Sequence, residues 1–157
     1  MAAQPASDVN GSQSAAVNHP KHYNSHPSGV ECVEFAELLP GNLSHACVYV
    51  WRHADKGTPE EDLEKALWFL NRESERHPDE QDESRAVLGI VPAPSTGARA
   101  AALIRIRDRA RPLKPFVEKK DFVATVVALL LAYELAKARE LVTDHLKLLR
   151  SKGLTNA

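Results

Sequence analysis

The segment Gly57-Thr58-Pro59-Glu60-Glu61 constrains this chain more than any other, because it stops one helix and starts the next without an intervening loop. Glycine accepts the left-handed conformation that closes a helix. Thr58 supplies an N-cap, Pro59 suits the first helical position, and Glu61 completes a capping box with Thr58. Downstream, Leu63, Ala66, Leu67 and Leu70 recur at helical spacing, which predicts a helix from Pro59 to about Glu75 with one buried face. Upstream, Ala46 to Trp51 is apolar on most sides before the chain turns polar at Arg52, His53, Asp55 and Lys56, so a helix capped by Asn42 or Ser44 precedes the turn. Two helices joined this tightly form an antiparallel hairpin, and the fold class that follows is mainly α.

The remaining sequence arranges itself around that hairpin. Residues 1–17 are Ala-, Ser-, Gln- and Asn-rich without periodicity and read as a disordered tail. Residues 18–29 hold two prolines, a glycine and three histidines and predict an ordered polar loop without regular helix. Val30, Val33, Phe35, Leu38 and Leu39 fit a short helix stopped by Pro40-Gly41. The loop, this helix and the hairpin form one module over 18–73. Residues 74–97 are first charged and then proline-rich, as a linker is. Residues 98–151 form a second helical region: one helix from Ala98 to Ala110, ended by Pro112 and with a strand over 104–107 as the lesser alternative, then one long helix from Val117 to about Ser151. The apolar stretch from Phe122 to Ala136 is more than a lone helix hides, so pairing within the chain or between copies is expected, with a homo-oligomer the reading preferred.

Charge and cysteine content narrow the class. Residues 1–85 carry 7 Lys/Arg against 15 Asp/Glu, net −8, and residues 86–157 carry 13 against 6, net +7, restoring the overall −1. Only the second half, with Arg99, Arg105, Arg107, Arg109 and Arg111, has the charge of a nucleic-acid surface, and pairing with the acidic half is the preferred account of it. Cys32 and Cys47 form no metal or disulfide pattern and read as two buried thiols of a reducing compartment. No secretory signal opens the sequence and no stretch reaches the roughly 20 apolar residues that span a bilayer. A soluble, cytoplasmic protein without membrane contact is expected.

The candidate chemistry lies in the first half. Tyr49, Arg52, His53 and Lys56 are spaced by three and four and should share one basic, aromatic helix face. Arginine offers a planar fork to phosphate, lysine a point charge and tyrosine a surface for a base. His19, His22 and His26 lie on a proline-broken loop, a spacing unsuited to a metal, so hydrogen bonding to the loop or to substrate is expected of them. Glu60, Glu61, Asp62 and Glu64 complement the helix dipole. Glu34 and Glu37 leave a magnesium-dependent pyrophosphohydrolase as a minor alternative. Neither a Walker loop nor a dinucleotide fingerprint occurs, so side chains must carry any phosphate chemistry.

Five separated blocks, Asn18-His-Pro-Lys-His-Tyr23, Gly29-Val-Glu31, Tyr49-Val-Trp-Arg52, Lys56-Gly57 and Glu61 to Leu70, resemble the phage SaV-like domain family of unknown function, which is also present in the nucleotide kinase of a T-odd coliphage. The resemblance implies phosphorylation of deoxynucleoside monophosphates without a Walker motif, in the host cytoplasm if the chain is phage-encoded. It carries His22, Tyr23, Glu31, Tyr49, Arg52, Lys56, Asp62 and Lys65 into the site. Arg52 and Lys56 are expected to hold phosphates, with His22 or His45 assisting transfer. His19, Tyr23, Glu31, Tyr49, Asp62 and Lys65 are expected at the substrate, with no metal ligand and Mg2+ optional. Where the family has Asn and then Lys before the Tyr-x-x-Arg block, this chain has His45 and Val48. The missing lysine favours a second expectation, a protein that binds or sequesters nucleotides without turnover. A third is an interaction protein acting through its basic C-terminal half.

Overall fold

The computed structural model describes residues 20–76 and 96–155. Among these residues the chain is mainly helical and has no strand: α1 Lys21–Asn24, α2 Cys32–Ala36, α3 Gly41–Arg52, α4 Pro59–Arg76, α5 Thr96–Ala110, a 3-10 turn Arg111–Leu113, α6 Lys114–Glu118, α7 Phe122–Leu131 and α8 Leu135–Thr155. The 1–17 tail and most of the 74–97 linker lie outside the described residues, although helix α4 itself runs on through Arg76.

The hairpin forms as its turn chemistry dictates. Gly57 adopts φ +77°, and α4 opens with the Asp62 amide donating to the Thr58 carbonyl at 3.1 Å. Helix α3 begins at Gly41 behind an extended Pro40, ahead of both expected caps, so neither Asn42 nor Ser44 caps it. Leu63, Ala66 and Leu70 of α4 pack fully buried against Leu43, Ala46, Cys47 and Val50 of α3 in one core.

Two expectations are corrected and one lesser alternative is set aside. The 18–29 loop contains a one-turn helix, Lys21–Asn24, which fits because Pro20 precedes it and Pro27 follows it, so neither ring enters the turn. Residues 104–107 are helical, not a strand. The long helix expected over 117–151 is broken twice. Asp121 and Glu134 donate their amides back to Phe116 and Leu129, and Lys120 and Tyr133 donate to Val117 and Leu130. These are Schellman closures with a left-handed residue at each, Lys120 at φ 59° and Tyr133 at φ 55°. A non-glycine residue there costs about 1–2 kcal/mol, so packing must offset it. At the second break it does: Tyr133 is buried and its hydroxyl donates to Glu73 Oε1 at 2.9 Å, while Asn42 Nδ2 donates to Glu73 Oε2 at 3.0 Å. At the first, Asp121 caps α7 by accepting from the Ala124 amide at 2.9 Å.

The breaks fold the apolar segment back onto the hairpin. Ala124, Val126, Val127 and Leu130 of α7 share one core with α3 and α4, and α8 lies along α4. Ala124, Val126, Val127, Leu130 and Leu131 are thereby buried within the chain, while Phe122, Val123, Ala128 and Leu129 stay partly exposed. The oppositely charged halves also meet: Arg109 donates to Glu37 at 2.7 Å, and Arg150 engages Glu60 and Glu64. Among the described residues no helix is long and apolar enough to cross a membrane.

Candidate functional site

Because α3 and α4 run antiparallel from one turn, residues equidistant from that turn face each other. The stripe His45, Tyr49, Arg52 on α3 therefore meets Phe69, Lys65, Asp62 on α4, and three rungs result. Nearest the turn, Arg52 Nε and Nη2 donate to Asp62 Oδ2 and Oδ1, both at 3.0 Å. The Arg52 side chain is 13% exposed and that of Asp62 only 1%, so this fork is nearly shielded from water. In the middle rung, Lys65 Nζ lies 5.6 Å and Arg52 Cζ 4.6 Å from the Tyr49 ring centroid, placing two cations on one aromatic ring. At the far rung, His45 stacks on Phe69 at 4.7 Å and 15°, and Tyr49 lies nearly parallel to Phe69 at 5.9 Å and 16°. Exposed Trp68 meets the edge of Phe69.

The electrostatics favour keeping both cations charged. Burial opposes the charge on Arg52, but the hydrogen bonds and charges of Asp62 and Tyr23 outweigh it and raise its pKa. The hydrogen bond from Lys65 to Glu61, at 2.5 Å, raises the lysine pKa and lowers that of the carboxyl. This second pair is solvent-exposed, and an incoming anion can displace Glu61 from it.

Tyr23 joins this ladder to a groove of about 330 Å3, which it lines with Pro20, Asn24, Glu31, Cys32, Val33, Ala36 and Val48. Its carbonyl accepts from Trp51 Nε1 at 2.8 Å and its side chain bonds Arg52. Of the sequence-derived candidates, Tyr23, Tyr49, Arg52, Asp62 and Lys65 thus converge. His45 joins them at the far rung, and Glu31 lies across the groove. His19 and the side chain of His22 lie outside the described residues.

The expected common face of Tyr49, Arg52, His53 and Lys56 is divided. Helix α3 ends at Arg52, so Lys56 sits in the exposed turn beyond the helix rather than on its face. His53, the C-cap residue of α3, turns inward and is buried, with Nδ1 2.6 Å from the Val50 carbonyl oxygen and its ring edge-on to Phe122 and His145. Of the pair considered for magnesium, Glu37 is engaged by Arg109; at the start of α4, Asp62 is engaged by Arg52, Glu61 by Lys65, and Glu60 and Glu64 by Arg150. Among the described residues no three His, Cys, Asp or Glu side chains are grouped to hold a metal ion.

Phe69 is the contributor that residue-by-residue reading overlooked. Its signal was the symmetry about the turn, since it lies as far beyond Gly57 as His45 lies before it. No curated protein and no solved structure matches the chain. Residues 17–71 match the model of a family described as a protein of unknown function, DUF3310, and every residue of the three rungs falls inside that match, so the ladder lies in the part of the chain that is similar to this family.

Proposed function

We propose that the chain is a phage-type nucleotide-kinase-like protein whose α3–α4 face holds a nucleoside monophosphate. The observation that carries this reading is the convergence of Tyr23, Tyr49, Arg52 and Lys65, from three separate segments, into one patch of two cations and stacked rings. Phosphate is taken by Lys65, released from Glu61, together with the guanidinium edge of Arg52, and the base stacks on the His45–Phe69 end. Transfer of a phosphoryl group from a triphosphate is mostly positioning and charge neutralisation, which side chains of this kind supply without a phosphate-binding loop.

A second reading, binding without turnover, is favoured by a specific observation. Arg52 is already committed to Asp62, and Val48 lines the groove where the resembling family carries a lysine. The two are separated by incubating each deoxynucleoside monophosphate with ATP, GTP or dTTP, resolving products by chromatography, and measuring monophosphate affinity by calorimetry. Lys65→Ala and Tyr49→Leu are the informative variants, because Arg52 also braces the fold. Diphosphate formation lost in Lys65→Ala supports the kinase. Saturable binding without product supports sequestration, and absence of both removes the nucleotide reading.

A further inference from the structure

His26 takes no part in the ladder, yet it is tied more completely than any other histidine described. Its side chain is only 7% exposed. The Val30 amide donates to Ser28 Oγ at 3.3 Å, and Ser28 Oγ lies 2.8 Å from His26 Nδ1, which also accepts the Ser28 amide at 3.2 Å. With Nδ1 an acceptor, the ring proton belongs on Nε2, where Asp121 Oδ2 stands at 2.9 Å. The same Asp121 oxygen caps α7. The imidazole packs 5.1 Å from both Trp51 and Phe116, and Trp51 Nε1 in turn holds the Tyr23 carbonyl. A continuous series of contacts therefore runs from Asp121 through His26 and Trp51 to Tyr23 and then to Arg52.

We infer that His26, latched by Asp121, is a positioning residue for the nucleotide site: it braces Trp51, which seats Tyr23 against Arg52 and fixes the guanidinium edge offered to phosphate. The inference rests on the proposed nucleotide reading. It also extends the site beyond residues 17–71, because Asp121 belongs to the C-terminal half. Fixing the guanidinium by packing and a hydrogen bond lowers the ordering cost that binding would otherwise meet.

The test uses the full chain, with Trp68 intact for affinity and with Trp68→Phe for fluorescence only, which leaves Trp51 as the only tryptophan. His26→Ala removes the brace, and His26→Gln restores a donor that reaches Asp121. Asp121→Ser keeps an N-cap for α7 but is too short to hold His26, so it separates the latch from helix capping. Monophosphate affinity is measured by calorimetry, Trp51 emission and its acrylamide quenching report the brace, and thermal melting confirms folding. His26→Ala and Asp121→Ser are expected to weaken binding about tenfold, the scale of coupling between contacting residues, and to shift Trp51 emission to the red, while His26→Gln recovers most of both. Unchanged affinity in folded Asp121→Ser overturns the inference, as does failure of His26→Gln to rescue. If the chain with Trp68 intact binds no monophosphate, the nucleotide reading falls. The latch is then decided by Trp51 alone: a red shift in Asp121→Ser upholds the brace, and an unshifted spectrum overturns it.

Discussion

Replacing Asp62 with alanine leaves the Arg52 guanidinium without the two acceptors it now meets at 3.0 Å. Replacing Arg52 with alanine leaves a carboxylate of 1% exposure with no counter-ion. Breaking a buried pair from one side costs about 3–5 kcal/mol. The two halves are not equivalent, however. Arg52, at 13% exposure and lying over the Tyr49 ring, can swing toward water, so Asp62→Ala should cost about 2–3 kcal/mol, while Arg52→Ala should cost about 3–4 kcal/mol. The combined change Arg52→Met with Asp62→Leu replaces the pair by apolar volume and should recover to within about 1 kcal/mol of wild type. In a chain of this size 1 kcal/mol moves the melting temperature by about 2–4 °C, so each single variant should melt clearly lower and the double variant close to the parent. Urea unfolding of the four proteins completes the cycle. Single variants within about 0.5 kcal/mol of wild type would refute the reasoning, since the pair would then behave as a surface ion pair. The double variant has a second use: it keeps the hairpin and lacks the ion pair, so its nucleotide affinity reports what the Arg52–Asp62 pair contributes to binding.

Three further expectations follow from other parts of the fold. Tyr133→Phe deletes the hydroxyl that meets buried Glu73 and leaves that carboxylate one donor short, which should cost about 1–2 kcal/mol in urea unfolding. An unchanged midpoint would mean that water or another group replaces the hydroxyl. The hydrogen bond with Cys32, burial and the charge of Cys32 all raise the Cys47 thiol pKa, and Cys32 is shielded by its burial, so neither cysteine should react with iodoacetamide in the native protein at pH 8, and both should react in urea. Fast native alkylation would contradict the packing of α2 on α3. His145, stacked on Phe122 at 3.9 Å, has its pKa lowered by burial, then by His53 and Lys152. The folded state therefore binds fewer protons than the unfolded one near and below the ordinary histidine pKa, and stability contributed here is full above that value and falls as pH drops through it. His145→Leu should flatten the pH dependence of the melting temperature between pH 7 and 5, and an unaltered slope would exclude this histidine as its source.

The hairpin was legible because each of its determinants is local. Gly57, Thr58, Pro59 and Glu61 act within one turn, and the apolar spacing of Leu63, Ala66 and Leu70 needs no knowledge of a partner. Once the hairpin is granted, the face bearing Tyr49, Arg52 and Lys65 is nearly determined as well. The breaks at Lys120 and Tyr133 were illegible for the opposite reason. Both are Schellman closures without glycine, and the left-handed Tyr133 is held by a hydrogen bond to Glu73, sixty positions away in the chain. Tertiary structure alone sent His53 inward, because the side of α3 that is free in an isolated helix is covered by α7 and α8. It also tied His26 to Asp121 across ninety-five positions. Sequence determined the hairpin and which of its faces are apolar; packing decided where the C-terminal helices break and which polar side chains meet, since a buried donor or acceptor is satisfied by whatever the fold brings within hydrogen-bonding distance.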